Sequence, residues 1–220
     1  LKIKIIGDVH GKVSAYNRII KTATHSIQLG DFGFKQEWEK LTKNRINYEK
    51  HKIIPGNHDA YDHINLNHTF GKDYGLINFD GFKFFFLRGA FSTDKKYRTE
   101  GVDWFQEEEV SYNNLWDAFK LYETEKSDII LTHDCPDSVI PFLFNRYGNK
   151  NRTTTILSDM FEIHKPKLWI FGHWHETTNR EILGTEFVCL AELDYIEYDT
   201  EQNIEWNIEQ IKKQIHDKSI

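Results

Sequence analysis

Gly56-Asn57-His58-Asp59 follows the run His51-Lys52-Ile53-Ile54-Pro55, which is extended enough to read as a short strand. Gly56 allows the backbone to turn sharply. Asn57 offers a neutral carbonyl oxygen to a hard or borderline metal, and His58 an imidazole able to move a proton. Taken alone, the tetrapeptide also serves as a turn or a helix cap, because Asn and Asp after Gly do both. Its weight comes from the repetition of the same device along the chain.

Working outward, Lys2-Ile3-Lys4-Ile5-Ile6 is β-branched and runs into Gly7-Asp8-Val9-His10-Gly11. In an extended segment residues i and i+2 share a face, so Asp8 and His10 can grip one ion while the glycines let the backbone close in. An Asp8 cap ahead of a helix over Val13 to Ala23 is the competing reading. His25 to Leu29 is a second strand and ends in Gly30-Asp31. Lys35 to Arg45 reads as an exposed helix and Tyr61 to Asn67 as a short one. Beyond the opening motif, Leu76 to Phe79 and Phe82 to Leu87 flank Asp80-Gly81 and form a β-hairpin, with Phe84, Phe85 and Phe86 as core. Tyr112 to Lys126 is an amphipathic helix whose Leu115, Trp116, Phe119 and Tyr122 read as core. Asp128 to Thr132 is a strand ending at His133-Asp134-Cys135-Pro136, Ile156 to Ile163 a helix, and Lys167 to Phe171 a strand stopping at Gly172-His173-Trp174-His175. Glu181 to Leu190 and Tyr195 to Ile208 alternate as strands in hairpins, with a closing helix over Glu209 to His216. Strands that each present a ligand-type residue at the carboxyl end suit an α/β sheet with its site outside that edge.

Composition agrees with one folded domain over residues 1–220. Aromatic residues make up 15 % of the chain. The two cysteines, Cys135 and Cys189, lack metal-ligand spacing and suit a reducing cytoplasm. Neither a basic, apolar leader nor an apolar run of about 18 residues occurs, so secretion and a membrane span are not expected. Twenty-eight Lys and Arg against 34 Asp and Glu give a net charge of −6, and no basic run stands out to grip long nucleic acid.

Asp8, His10, Asp31, Asn57, His133, His173 and His175 are oxygen and nitrogen ligands at strand ends, too many for one ion, with His58 left over. With one shared carboxylate they divide into two sets of four, as two ions roughly 4 Å apart require for in-line displacement at phosphorus. The ordered series Gly-Asp-x-His, Gly-Asp, Gly-Asn-His-Asp, His, Gly-His-x-His over residues 7 to 175 resembles the calcineurin-like metallophosphoesterase superfamily. The resemblance implies a four-layer αββα sandwich, two mixed β-sheets flanked by helices. It also implies that Asp8, His10 and His175 hold one ion, that Asn57, His133 and His173 hold the other, that Asp31 bridges them, and that His58 is the general acid. Two divalent ions are implied, manganese first, with iron or zinc as alternatives that the nitrogen and oxygen ligand set does not separate.

The second motif departs from the protein serine/threonine phosphatases of the superfamily. Those carry Gly-Asp-x-x-Asp-Arg-Gly, whereas here Phe34 and Lys35 follow Gly30-Asp31-Phe32-Gly33, so the phosphate-gripping Arg is missing from its usual place. The stretch from Gly89 to Glu109 looks like that of small bacterial and phage phosphoesterases. The expected activity is a cytoplasmic dimetal hydrolysis of a phosphodiester or nucleotide, with a hydroxide between the ions attacking phosphorus. Phosphomonoesters, including phosphoproteins, are the alternative, and a non-enzymatic metal-binding scaffold is the rival from another class. Arg98, in the polar stretch Phe91 to Gln106 beside Lys95 and Lys96, is the candidate to bind phosphate, with Asp94 and Asp103 available to hold it. A surface salt bridge is its bland alternative.

Overall fold

The computed structural model describes residues 1–43, 46–64 and 72–218. Two mixed sheets lie face to face. The smaller contains β1 (Lys2–Ile6), β2 (His25–Gln28), β3 (His51–Ile53) and β10 (Tyr195–Asp199), in the order β10-β1-β2-β3, with β1, β2 and β3 parallel and β10 antiparallel to β1. The larger runs β4-β5-β6-β7-β9-β8, formed by β4 (Tyr74–Phe79), β5 (Phe82–Leu87), β6 (Ile129–Thr132), β7 (Leu168–Phe171), β8 (Thr178–Ile182) and β9 (Thr185–Cys189). Its strands β5, β6, β7 and β9 are parallel.

The period of two along each strand sends side chains to opposite faces, which explains why so many strands are apolar throughout. Ile3, Ile5, Ile27, Phe84, Phe86, Leu131, Ile170 and Val188 meet between the sheets. Phe85, Ile130, Trp169, Phe171 and Phe187 point to the other side of the larger sheet and pack under α3 (Tyr112–Glu125), α4 (Ile140–Phe144) and α5 (Arg152–Ile163). Ile6 and Ile53 face α1 (Val13–Lys21) and α2 (Lys35–Lys43). The result is the expected sandwich of helices, sheet, sheet and helices. A last helix, α6 (Ile204–Lys218), adds Ile211 and Ile215 to the inter-sheet core.

Most elements fall where the residues place them. At the hairpin, Asp80 and Gly81 both take positive φ, 51° and 90°, as a tight turn between twisted strands demands. Phe84, Phe85 and Phe86 are all buried. Five expectations need correction. α5 begins at Arg152 rather than Ile156, because Asn151 and Thr154 close a reciprocal cap at 3.0 and 3.1 Å. Tyr195 to Ile208 is a strand only to Asp199; Asn203 then accepts the Trp206 N–H at 2.8 Å and starts α6. β8 and β9 form the hairpin, while β10 crosses to the other sheet. Trp116 is 53 % exposed rather than core, stacked on Phe119 at 5.4 Å. Residues 61–64 form a turn and no helix; residues 65–67 of that expectation, and 44–45 at the end of α2, lie outside the described residues.

Candidate metal centre and its cleft

Each ligand-type residue follows a strand at its carboxyl end: Asp8 and His10 after β1, Asp31 after β2, Asn57 after β3, His133 after β6, and His173 and His175 after β7. The cap reading of Asp8 does not hold, since α1 starts after Lys12 without a side-chain cap. Asp8 Oδ1 instead accepts the His173 backbone N–H at 3.1 Å. Six of the seven residues converge in two groups, Asp8, His10, Asp31 and His175 in one and Asp31, His133 and His173 in the other, ligand atoms within 4.8 Å of one another in each. Asp31 belongs to both. Asn57 joins the second through Oδ1, which lies 3.0 Å from His133 Nε2.

The chemistry of the donor set fits cations. Asp8 Oδ2 is buried with no hydrogen-bond partner, 3.4 Å from His175 Nε2 and 3.7 Å from His10 Nε2. The Nε2 atoms of His10 and His175 face each other at 3.0 Å. His133 gives Nδ1 to the Leu29 carbonyl at 2.6 Å, which leaves Nε2 facing Asp31 Oδ1 at 3.1 Å and Asn57 Oδ1. Lone pairs converging in this way repel unless a positive charge sits among them, either a proton or a metal ion. The titration behaviour says the same. Burial works against a charged His133, yet Asp31 and then Asp8 outweigh it and push its pKa up to about 10. Burial would likewise raise Asp31, but His133, with His58 and His10 behind it, holds that carboxyl well below the usual range.

Backbone approach is close enough to exclude side chains at several glycines, Gly56 and Gly172 among them. A Cβ on Gly56 would collide with Asp31 Oδ1 and lie 2.6 Å from His133 Nε2; one on Gly172 would collide with Asp8 Oδ1. Asp59 staples two loops together, its carboxylate accepting Gly56 N–H at 2.7 Å and Gly33 N–H at 3.0 Å.

His58 is tied to the centre through its backbone, whose N–H goes to Asp31 Oδ1 at 2.7 Å. Its ring meets Arg98 Nη2, 2.9 Å from Nε2 and 3.1 Å from Nδ1. Burial lowers the His58 pKa to about 4, with Asp31 opposing and Arg98 adding to the fall. Arg98 is held by Asp94 and Asp103, the two residues the sequence made available to it. Nε and Nη2 take the Asp94 carboxylate at 2.8 and 2.7 Å, and Nη1 takes the Asp103 carbonyl at 2.9 Å. Phe34 stands near the same imidazole, ring centres 6.3 Å apart.

A cleft of about 380 Å³ opens beside His58, His173 and His175, with Phe91, Trp174 and Arg146 on its walls. Trp174 stacks on Phe144 at 4.5 Å and donates Nε1–H to Asp134 at 3.0 Å. Arg146 lies over the Trp174 ring at 5.0 Å and pairs with Glu176 at 2.8 Å. Sequence reasoning overlooked Trp174, Arg146 and Asp134, as well as the link from Asn57 Nδ2 to Ser92 Oγ at 3.0 Å and from Ser92 to the buried Glu108. Trp174 sits inside a ligand motif and was the one available signal; the others depend on contacts between distant segments.

Comparison with known proteins follows the same line. The family model described as calcineurin-like phosphoesterase matches residues 1–177. No curated protein matches the chain. Among solved structures, the chain is similar to a dimetal phosphatase from Danio rerio, at 13 % identity over 88 % of this chain and 88 % of that one, TM-score 0.51. It is similar to a putative 5′-nucleotidase from Staphylococcus aureus, at 12 % identity over 98 % of this chain and 58 % of that one, TM-score 0.50. It is also similar to the anchor protein of the inner membrane complex of Plasmodium, at 13 % identity over 87 % of this chain and 71 % of that one, TM-score 0.50. At these identities the structures share a fold.

Proposed function

The chain belongs to the calcineurin-like phosphoesterases, a dimetal-dependent family, and from that premise we propose that it is a phosphodiesterase or nucleotide hydrolase. In this reading Asp8, His10 and His175 hold one ion, Asn57, His133 and His173 the other, and Asp31 is shared. The observation that carries it is the pair of ligand groups meeting at Asp31. When bound, two divalent cations neutralise charge on the phosphoryl group and acidify the attacking water. Manganese is our first choice, with iron or zinc as alternatives.

We assign His58 the proton for the leaving oxygen; burial and Arg98 hold its pKa down to about 4 in the free protein, so the ring takes up that proton only when an anionic phosphoryl group beside it favours the imidazolium. Its backbone bond to Asp31 fixes the ring relative to the ligands, and the ring lines the cleft. Arg98, with its fork committed to Asp94 and Asp103, serves as a positioning residue that acts through His58 by way of Nη2. A cleft of about 380 Å³ with an aromatic wall offers far more room than one phosphoryl group needs, which favours a substrate with a substituent beyond the phosphorus. Phe34 near His58, where another branch carries Asp, weighs against phosphoproteins. The scaffold rival draws on the Plasmodium anchor, but an anchor has no use for His58 beside two complete ligand groups. A cytoplasmic location accords with the two free, buried cysteines, and among the described residues no helix is long and apolar enough to cross a membrane.

The test is a screen of the manganese-loaded protein against bis-p-nitrophenyl phosphate, p-nitrophenyl phosphate, cyclic nucleotides and a phosphopeptide, with bound metal measured in the same samples. Two ions per chain and preference for the diester or the nucleotides are expected. Preference for the monoester or the phosphopeptide overturns the substrate choice, and inactivity at full metal loading favours the scaffold.

A further inference from the structure

A primary amide makes an ambiguous ligand, because rotating it end for end swaps an acceptor for a donor with little change of shape. Asn57 is the only member of the ligand set with this problem, and its side chain is buried. Its Nδ2 lies 3.0 Å from Ser92 Oγ and its Oδ1 3.0 Å from His133 Nε2. Ser92 is in turn held at both of its donors by one carboxylate: Glu108 Oε1 accepts the Ser92 backbone N–H at 2.9 Å, and Oε2 accepts the hydroxyl at 2.7 Å. Ser92 and Glu108 are 1 % and 2 % exposed, so water does not compete for these bonds.

The direction of this chain follows from counting protons. A hydroxyl has one proton to give, and the Ser92 hydroxyl gives it to Glu108. The oxygen then has only lone pairs for Asn57, so the Asn57 group opposite must be the NH₂. Oδ1 is thereby turned toward His133 and the second ligand group. We propose that Glu108, acting through Ser92, is a positioning residue that keeps the carbonyl oxygen of Asn57 aimed at the metal centre. The inference rests on the dimetal reading above.

The arrangement makes an unusual demand of Glu108→Gln, which has nearly the same shape. A Gln must keep its carbonyl on the Ser92 backbone N–H, since two donors cannot meet there. Its NH₂ then faces Ser92 Oγ, the hydroxyl proton turns toward Asn57, and the Asn57 amide has to reverse and present its NH₂ to the metal side. An Asp at position 57 escapes this, because both of its oxygens accept.

The experiment is Mn²⁺ titration by calorimetry, with metal content by mass spectrometry, on the full chain, its Glu108→Gln and Ser92→Ala variants, Asn57→Asp, and the Asn57→Asp/Glu108→Gln double. The unsubstituted chain is expected to bind two ions. Glu108→Gln should weaken one of them by roughly 10–100-fold, the range for residues that orient metal ligands. In the Asn57→Asp background the same Glu108→Gln change should cost less than about threefold. Ser92→Ala frees the amide without reversing it, so a smaller loss at the same ion is expected. Unchanged binding in Glu108→Gln, or an equal loss in both backgrounds, overturns the inference while leaving the dimetal reading intact. If circular dichroism shows that Glu108→Gln does not fold, Ser92→Ala decides, and undiminished affinity there overturns it. Fewer than two ions in the unsubstituted chain removes the dimetal reading and the inference together.

Discussion

Asp31→Asn tests the centre at the residue both ligand groups share, and the structure says which side should fail. Asp31 Oδ1 accepts the His58 N–H at 2.7 Å and faces His133, whereas Oδ2 faces His10 Nε2 at 3.7 Å. Asn tolerates the left-handed backbone of this position, φ 54°, about as well as Asp does. Its carbonyl must stay on the His58 N–H, so the NH₂ is placed on the side of His10, Asp8 and His175. That group loses an acceptor and gains a donor; the other keeps its oxygen and loses charge. Residues that only orient ligands are worth ~10–100-fold in metal affinity, and a direct ligand should exceed that. We therefore expect at least ~100-fold weaker binding at the first ion, or about 2.8 kcal/mol at about 1.4 kcal/mol per decade. Turnover should fall ~10²–10³-fold as one source of charge stabilisation is lost. Calorimetric Mn²⁺ titration and hydrolysis of bis-p-nitrophenyl phosphate on one sample provide the readout. Adding His175→Ala should then cost little more, because its ion is already lost, whereas adding His173→Ala should remove the remaining one. Two tightly held ions with ordinary turnover in Asp31→Asn, or the reverse pattern in the double variants, refutes the reasoning.

His58→Asn should lower turnover ~10²–10⁴-fold at unchanged metal content, with a smaller loss on p-nitrophenyl esters than on alkyl esters; equal losses on both would count against proton donation. Arg98→Ala should reduce kcat at least about tenfold without loss of metal, since a charge-assisted hydrogen bond is worth ~1.5–3 kcal/mol, and Arg98→Lys should not restore it because a point charge cannot replace the fork held by Asp94. Kinetics indifferent to both changes would reduce Arg98 to a surface residue. Chelation should lower Tm, because an ion present at about 100 times its Kd adds ~2.7 kcal/mol to the folded state; a Tm indifferent to chelator and to added Mn²⁺ contradicts the ligand assignment. Burial, then His25 and Lys50, hold His51 below its ordinary 6.5, so below that pH the unfolded chain binds more protons and stability falls as pH drops. His51→Gln should flatten the decline of Tm between about pH 7.5 and 5, and parallel curves would exclude the residue as a contributor.

Most of the ligands were legible because they are announced twice, by an apolar run and by a glycine at its end, and both signals are local; His133, which follows Thr132 with no glycine, had only the run. Helix starts were less legible. Asn151 and Asn203 are polar residues in polar surroundings, and their capping role shows only once the following turn exists. At Tyr195 to Ile208 a true alternation up to Asp199 merges with the helical spacing of Ile204, Ile208 and Ile211, so the two periods read as one strand. Trp116 has the right helical phase but stays 53 % exposed, on the rim of an open groove that α3 shares with α5. Ser92 and Glu108 were illegible for a different reason: they lie 35 and 51 positions from Asn57 in a stretch of no period, and only the tertiary fold brings them to it.

Four of the ligand-type residues, His10, Asp31, His173 and His175, take left-handed backbone conformations, φ 44° to 67°. At about 1–3 kcal/mol for each such residue, the strain amounts to a sizeable part of the whole stability of a domain, about 5–15 kcal/mol. Two features reduce it. The residue types that serve as ligands, Asp and His, are among those that best tolerate this region, so ligand chemistry and local conformation select the same side chains. The loops also hold one another. The Asp31 carbonyl accepts the N–H groups of Val9 and His10 at 3.1 and 2.8 Å, the Asp8 carbonyl accepts Leu193 N–H at 2.8 Å, and Asp8 Oδ1 accepts that of His173. The turns at His10, Asp31 and His173 are thus tied to a neighbouring ligand's backbone or side chain, and loss of the Asp8 carboxylate would loosen the His173 turn. Substitutions within this set should be non-additive. Asn57 meets its neighbour His133 through Oδ1, and the direction of its amide is set by the carboxylate of Glu108 reached through Ser92.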